Sequence, residues 1–197
     1  MIYPDVKFGS FPASEITLNT IELATRLGAG LDYSNEKIDA CIKDFNKAAS
    51  YRYAYVEVAV TVSGNVCDFG FAKVESHALS TVLCDCNKAF FLAVSAGVGV
   101  DRLITRLEAK GKADAFFTDS VGSAAIESFC DLITEKICKD LNCTRRFSPG
   151  YADLPLEFQR DMLDRLDAPS SVGITLNSSL LMTPMKSITA IIGIKGQ

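Results

Sequence analysis

The sequence predicts an α+β protein, a twisted and mostly antiparallel sheet covered by helices. Three observations carry this. Segments of helical period and segments of strand character alternate irregularly, without a repeating βαβ rhythm. A Tyr/Val-rich stretch, "YRYAYVEVAVTVSGNVCDFGFAKVES", carries a tight-turn signal at Ser63-Gly64-Asn65. A continuous apolar run, "KAFFLAVSAG", has strand length and the character of a central strand.

Each element follows in order. Residues 1–50 read as a helical N-terminal part, and 51–197 as the sheet with the ligand-binding part, together one domain. "TLNTIELATRLG" has a loose helical period at Ile16, Ile21, Leu23, Ala24 and Leu27, with stops at Gly28 and Gly30. "SNEKIDACIKDFNKAASY" is a clearer helix, capped by Ser34 or Asn35, with Ile38, Cys41, Ile42, Phe45 and Ala49 on one face. The hairpin and the apolar strand come next. Ser76 is an N-cap for a helix beginning near His77. "VGVDRLITRLEAKG" is a helix stopped by Gly111, and the strongest helix runs from about Asp114 to Leu141. A further helix spans Leu156 to Leu166, followed by short apolar pieces and a last strand, "SITAIIGI".

Composition excludes several classes. The 197 residues are 48% hydrophobic and 22% charged, which suits a packed core and argues against disorder. Net charge is −4 and the basic residues form no run beyond Arg145-Arg146, so no nucleic-acid surface is expected. No apolar run is long enough for a membrane span, and the N-terminus lacks the pattern of a secretory signal. Seven cysteines at irregular spacing read as free thiols of a cytoplasmic protein. Cys84-x-Cys86 has no partner ligands at metal-site spacing. The single histidine, His77, leaves no His-rich zinc site, and any Ser-His-Asp arrangement would have to use it. In "SAGVGVDR", Gly97 and Gly99 stand where a phosphate cradle would, but the third glycine is missing, so a tight strand-to-helix turn is expected.

Two features hold candidate chemistry. In the long helix, Glu127, Asp131 and Glu135 form a row at four-residue spacing, either a solvated face or a negative wall for an ammonium or sulfonium group. In "RRFSPGY", Pro149 fixes one dihedral angle and Gly150 permits a conformation barred to other residues. This stiff corner presents the planar fork of Arg146 and the phenol of Tyr151, a combination suited to the carboxylate end of an amino-acid-like ligand. The residues alone leave a binding corner and a plain turn equally open.

"RFSPGY" resembles the R-x-x-x-G-Y signature of the activation domain of cobalamin-dependent methionine synthase. A second stretch, "SLLMTPMKSITA", is similar to that family's later motif at Ser179, Met182, Pro184, Ser187, Ile188 and Thr189. The resemblance covers roughly residues 85–194. It implies a helmet-like α+β domain that binds S-adenosylmethionine. It implies that Arg146 holds the ligand carboxylate and that Pro149, Gly150 and Tyr151 complete the corner. An acid of the long helix, Asp131 by alignment or Glu127 as its rival, would meet the amino group. The bound methyl donor serves the reductive remethylation of cobalamin. The sequence departs from the family at Ala152-Asp153, where a Pro usually follows the Tyr, and at Ile191 and Ile192, where aromatics are expected.

The chain also has no D-x-H-x-x-G motif to ligate cobalt and no evident zinc site. The resemblance therefore implies a freestanding reactivation module, incomplete as an enzyme. It would act in methionine biosynthesis on a separate corrinoid-dependent methyltransferase, with an electron-donor protein. A docking protein that kept the fold and lost the ligand is the alternative. An enzyme acting on an unrelated small substrate is a third.

Overall fold

The computed structural model describes residues 5–28 and 35–196. Its centre is a four-stranded sheet in the order β1-β2-β6-β9, formed by β1 (Lys7–Phe11), β2 (Tyr51–Ala59), β6 (Cys86–Ser95) and β9 (Ser187–Lys195). All three ladders are antiparallel. Strand β6 is the apolar run of the sequence, and it lies between β2 and β9 as expected. Its side chains alternate between two cores. Ala89, Phe91 and Ala93 enter one core, and Phe90, Leu92 and Val94 enter the other. Both faces of the sheet are covered, which is why β6 reads as continuous rather than alternating hydrophobicity.

On one face lie α1 (Thr20–Leu27), α2 (Asn35–Ala48), α4 (Val98–Glu108) and the long α5 (Lys112–Ile137). Helix α5 packs against the other three. Phe117, Val121, Ala124, Ala125, Phe129 and Ile133 form its buried stripe, and Phe129 lies 5.0 Å from the Tyr51 ring. Fully burying such a side chain stabilises the fold by roughly 1.5–3 kcal/mol. On the other face lie a small sheet, the helices α3 (His77–Leu83), α6 (Phe158–Arg165) and α7 (Ala168–Ser171), and a two-stranded ribbon. The small sheet holds β3 (Thr61–Ser63), β4 (Val66–Asp68) and β5 (Lys73–Glu75). The ribbon pairs β7 (Thr175–Leu176) with β8 (Met182–Thr183). No helix among the described residues is long and apolar enough to cross a membrane.

Several expectations change. The first fifty residues are not purely helical, because β1 lies among them and pairs with β2 along its length. The Tyr/Val-rich stretch does turn at Gly64-Asn65, with Ser63 opposite Val66, but it is not one hairpin. The chain breaks at the buried Val60, so β2 joins the main sheet and only β3 and β4 form the hairpin. Helix α5 stops at Ile137. Asp140 takes a left-handed conformation, and Leu141 is 45% exposed outside the stripe. In α1, Leu23 and Leu27 are buried, whereas Ile21 is 77% exposed. Asn19 caps α1 by accepting from the backbone N–H groups of Ile21 and Glu22. The stop expected at Gly30 and the cap expected at Ser34 lie outside the described residues, and α2 begins at Asn35.

Candidate ligand-binding cleft

The segment after α5 runs along the free edge of β9. Phe147 exchanges backbone hydrogen bonds of 2.9 and 2.7 Å with Ile191, and the Thr144 N–H donates to the Gly193 carbonyl at 2.9 Å. Ser148 Oγ donates to the Thr189 carbonyl at 2.7 Å. On this extended arm successive side chains point to opposite sides. Phe147 enters the core beneath α6, and Arg146 turns toward α5.

There Arg146 Nη2 stands 2.6 Å from Asp131 Oδ1 and 3.2 Å from Glu127 Oε2. The four-residue spacing stacks both acids on one helix row, within reach of a single guanidinium. The Arg146 side chain is only 24% exposed. Burial works against its charge, and the carboxylates of Asp131 and Glu127 beside it hold it charged. Burial also pushes the neighbouring Cys130 thiol up to about 11 against the pull of Arg146, so it is no thiolate nucleophile at neutral pH.

After Ser148 the chain turns sharply. The Tyr151 N–H donates to the Ser148 carbonyl at 3.2 Å, and Leu154 and Gly150 close the loop through the Gly150 N–H at 2.9 Å. Gly150 has φ +86°, a conformation that L side chains rarely adopt, which explains the glycine. Asp153 then fastens the corner to α3. Its Oδ1 accepts from Ser76 Oγ at 2.6 Å, and its carboxylate accepts from the backbone N–H groups of His77 and Ala78. The Ser76 hydroxyl lowers the Asp153 pKa from its ordinary value; desolvation opposes it, and the His77 and Ala78 N–H groups add to the lowering. Ser76 Oγ accepts from the Leu79 N–H, as expected of an N-cap. Ser76, His77 and Asp153 are therefore a helix cap, not a catalytic triad. The imidazole pairs with Asn65 at 3.2 Å rather than with Asp153.

Between arm, corner and β9 lies a cleft of about 640 Å³, within the range of small-molecule sites. Arg145, Arg146, Ser148, Pro149 and Tyr151 of the arm and corner line it, with Glu127 of α5, Gln159 of α6, and Met182, Ser187, Ile188 and Thr189 of the second motif. The structure thus brings the two sequence motifs to one cavity. Gly150 and Asp131 are not among the lining residues. Gly150 shapes the corner, and Asp131 grips Arg146 from one turn further along α5. Tyr151 is 69% exposed at the rim. Ile191 and Ile192 are fully buried, one in each core. Gln159 and Asp153 were missed by sequence reasoning. Their types carried no motif signal, and they reach their partners only through the fold.

The other candidates have packing roles. A side chain on Gly99 would lie 2.3 Å from the Ala48 carbonyl oxygen, and Gly97 has φ +84° against Ser50, so the glycines of "SAGVGVDR" form a close-packed turn. Cys86 is buried and Cys84 exposed, and all seven cysteines are unpaired thiols. Among the described residues no group of three or more His, Cys, Asp or Glu is placed to hold a metal ion.

No family model matches the sequence, and no curated protein matches it either. A solved structure does match in fold, the crystal structure of the MetH reactivation domain bound to AdoHcy. The TM-score is 0.68 at 13% identity, covering 95% of this chain and 78% of that one. The chain has an activation-domain-like fold, the architecture implied by the two motifs.

Proposed function

We propose that the chain binds S-adenosylmethionine in this cleft and serves the reductive remethylation of cobalamin in a separate corrinoid-dependent methyltransferase, methionine synthase.

 The carrying observation is the ion cluster at the lip of the cleft, in a fold similar to that of a solved domain bound to AdoHcy. Arg146 contributes one positive charge, and Glu127 and Asp131 contribute two negative ones, a net charge of −1. S-adenosylmethionine has one carboxylate, one ammonium and one sulfonium, the opposite net charge. On binding, the ligand carboxylate takes the fork of Arg146, and Glu127, which lines the cleft, takes the ammonium. Asp131 stays on Arg146 and keeps the guanidinium aimed. Each charge removed from water then keeps a partner, which the burial of charge requires.

The bound ligand supplies the methyl group, and a donor protein supplies the electron. This chain's residues bind and orient. Tyr151, 69% exposed, covers the rim.

The test is calorimetric titration of S-adenosylmethionine, with Arg146→Ala as control. Saturable binding removed by the substitution supports the reading. The absence of binding at millimolar ligand overturns it. That outcome favours a docking protein in which the Arg146 cluster only ties the arm to α5, a reading supported by the contacts Arg146 already makes with both acids.

A further inference from the structure

Gln159 is an odd residue for its position. It stands at the start of α6 between core residues. Phe158 packs against the rings of Phe69 and Phe91, and Met162 is fully buried one turn later. Gln159 is itself only 4% exposed, yet it lines the cleft together with Thr189. A carboxamide has two N–H donors and two oxygen lone pairs. Among the described residues, Nε2 donates to the Leu180 carbonyl at 3.1 Å, and Oε1 accepts from Thr189 Oγ1 at 3.3 Å. One donor and one acceptor remain. The Leu180 carbonyl accepts only, so it fixes which end of the amide carries nitrogen and prevents a flip.

We propose that Gln159 is a specificity-determining residue that reads the 6-amino edge of a purine in the cleft. The remaining N–H and lone pair match the acceptor and amino donor that adenine presents side by side, the pairing by which Gln recognises adenine elsewhere. A 6-oxo purine sets two acceptors, N7 and O6, against that donor and acceptor on one edge, and on the other exchanges donor and acceptor at N1 and position 6. Buried polar groups left unpaired are what make such a site reject the wrong partner. The inference rests on the reading of the cleft as a site for S-adenosylmethionine.

The experiment compares calorimetric affinities for S-adenosylmethionine and its 6-oxo counterpart, S-inosylmethionine, in the wild-type chain, Gln159→Leu and Gln159→Met. Thermal melts check folding. Wild type should prefer the adenine ligand by about ten- to hundredfold, and both substitutions should bring that ratio toward one. Equal affinities in the wild type overturn the inference without any variant. A substitution that weakens both ligands equally and preserves the ratio also overturns it, leaving Gln159 as a latch for the Leu180 turn. If S-adenosylmethionine binds and Arg146→Ala removes it while the ratio is one, only the Gln159 inference falls. If the wild type binds neither ligand, both readings fall.

Discussion

Two glycine-bearing corners connect the elements of this protein, Ser95–Gly99 before α4 and Ser148–Tyr151 before α6. Both contain a glycine at positive φ, and the angles are nearly equal, +84° at Gly97 and +86° at Gly150. Their surroundings differ. In the first, Gly99 is pressed onto the Ala48 carbonyl and Gly97 onto Ser50, so backbone stands where a side chain on either glycine would go. In the second, the nearest atom to a side chain on Gly150 would be a Leu156 methyl carbon at 3.3 Å, and the corner opens on a cleft with Arg146 at its lip. The same local device thus permits a close backbone approach in one place and a turn beside the Arg146 cleft in the other. A glycine pattern identifies a turn, and the atoms around the turn decide whether anything can bind there.

Substitutions can separate the two roles. The largest effect is expected from Arg146→Ala on ligand affinity, a loss of about 2–5 kcal/mol for a truncated charge pair. Stability should change little, since Glu127 and Asp131 then repel by only a few tenths of a kcal/mol. Titration and thermal melting on the same sample would show that split, and an unchanged affinity would remove Arg146 from the site. Gly99→Ala should do the reverse. Forcing a methyl against the Ala48 carbonyl costs about 1–3 kcal/mol, visible in denaturant unfolding, with affinity of the folded fraction unchanged. Gly150→Ala should cost about 1–2 kcal/mol through its left-handed backbone. It should also weaken the ligand, because the corner must move; unaltered affinity would show that corner geometry does not matter.

The smallest effect concerns Asp153. Its folded pKa is lowered by Ser76 and the α3 N–H groups, so its stabilisation is present above the unfolded value, about 3.9, and is lost as pH falls through the folded value. Melts of Asp153→Asn between about pH 6 and pH 2 should lack that component of acid destabilisation. A wild-type profile identical to that of the variant would show that the carboxylate does not fasten the corner to α3.

Much of the frame was legible because its signals are local. The period of α5, the apolar run of β6 and the Ser76 cap each depend on a few neighbouring residues. Strand β1 was not legible. "KFGSF" is short, contains glycine and is mostly exposed, and it becomes a strand only by pairing with β2. The division of the Tyr/Val-rich stretch at Val60 was hidden for a similar reason, since either pairing satisfies the same alternation. In the site, Arg146 and the acidic row stood out through charge and spacing. Alignment to the resembled family favoured Asp131 over Glu127 as the acid facing a ligand. In the fold Glu127 lines the cleft, and Asp131 holds Arg146 more closely.

By itself the sequence determined the helical and strand periods, the stiff corner at Pro149-Gly150 and the charged residues available there, because these are properties of neighbouring residues and their spacing. Tertiary structure alone decided that α5, the arm, α6 and β9 meet around one cavity, and that Gln159 and Thr189 line it together with Arg146. Those meetings bring together residues far apart in the chain. They are set by which faces the sheet and helices must bury, and no local pattern encodes them.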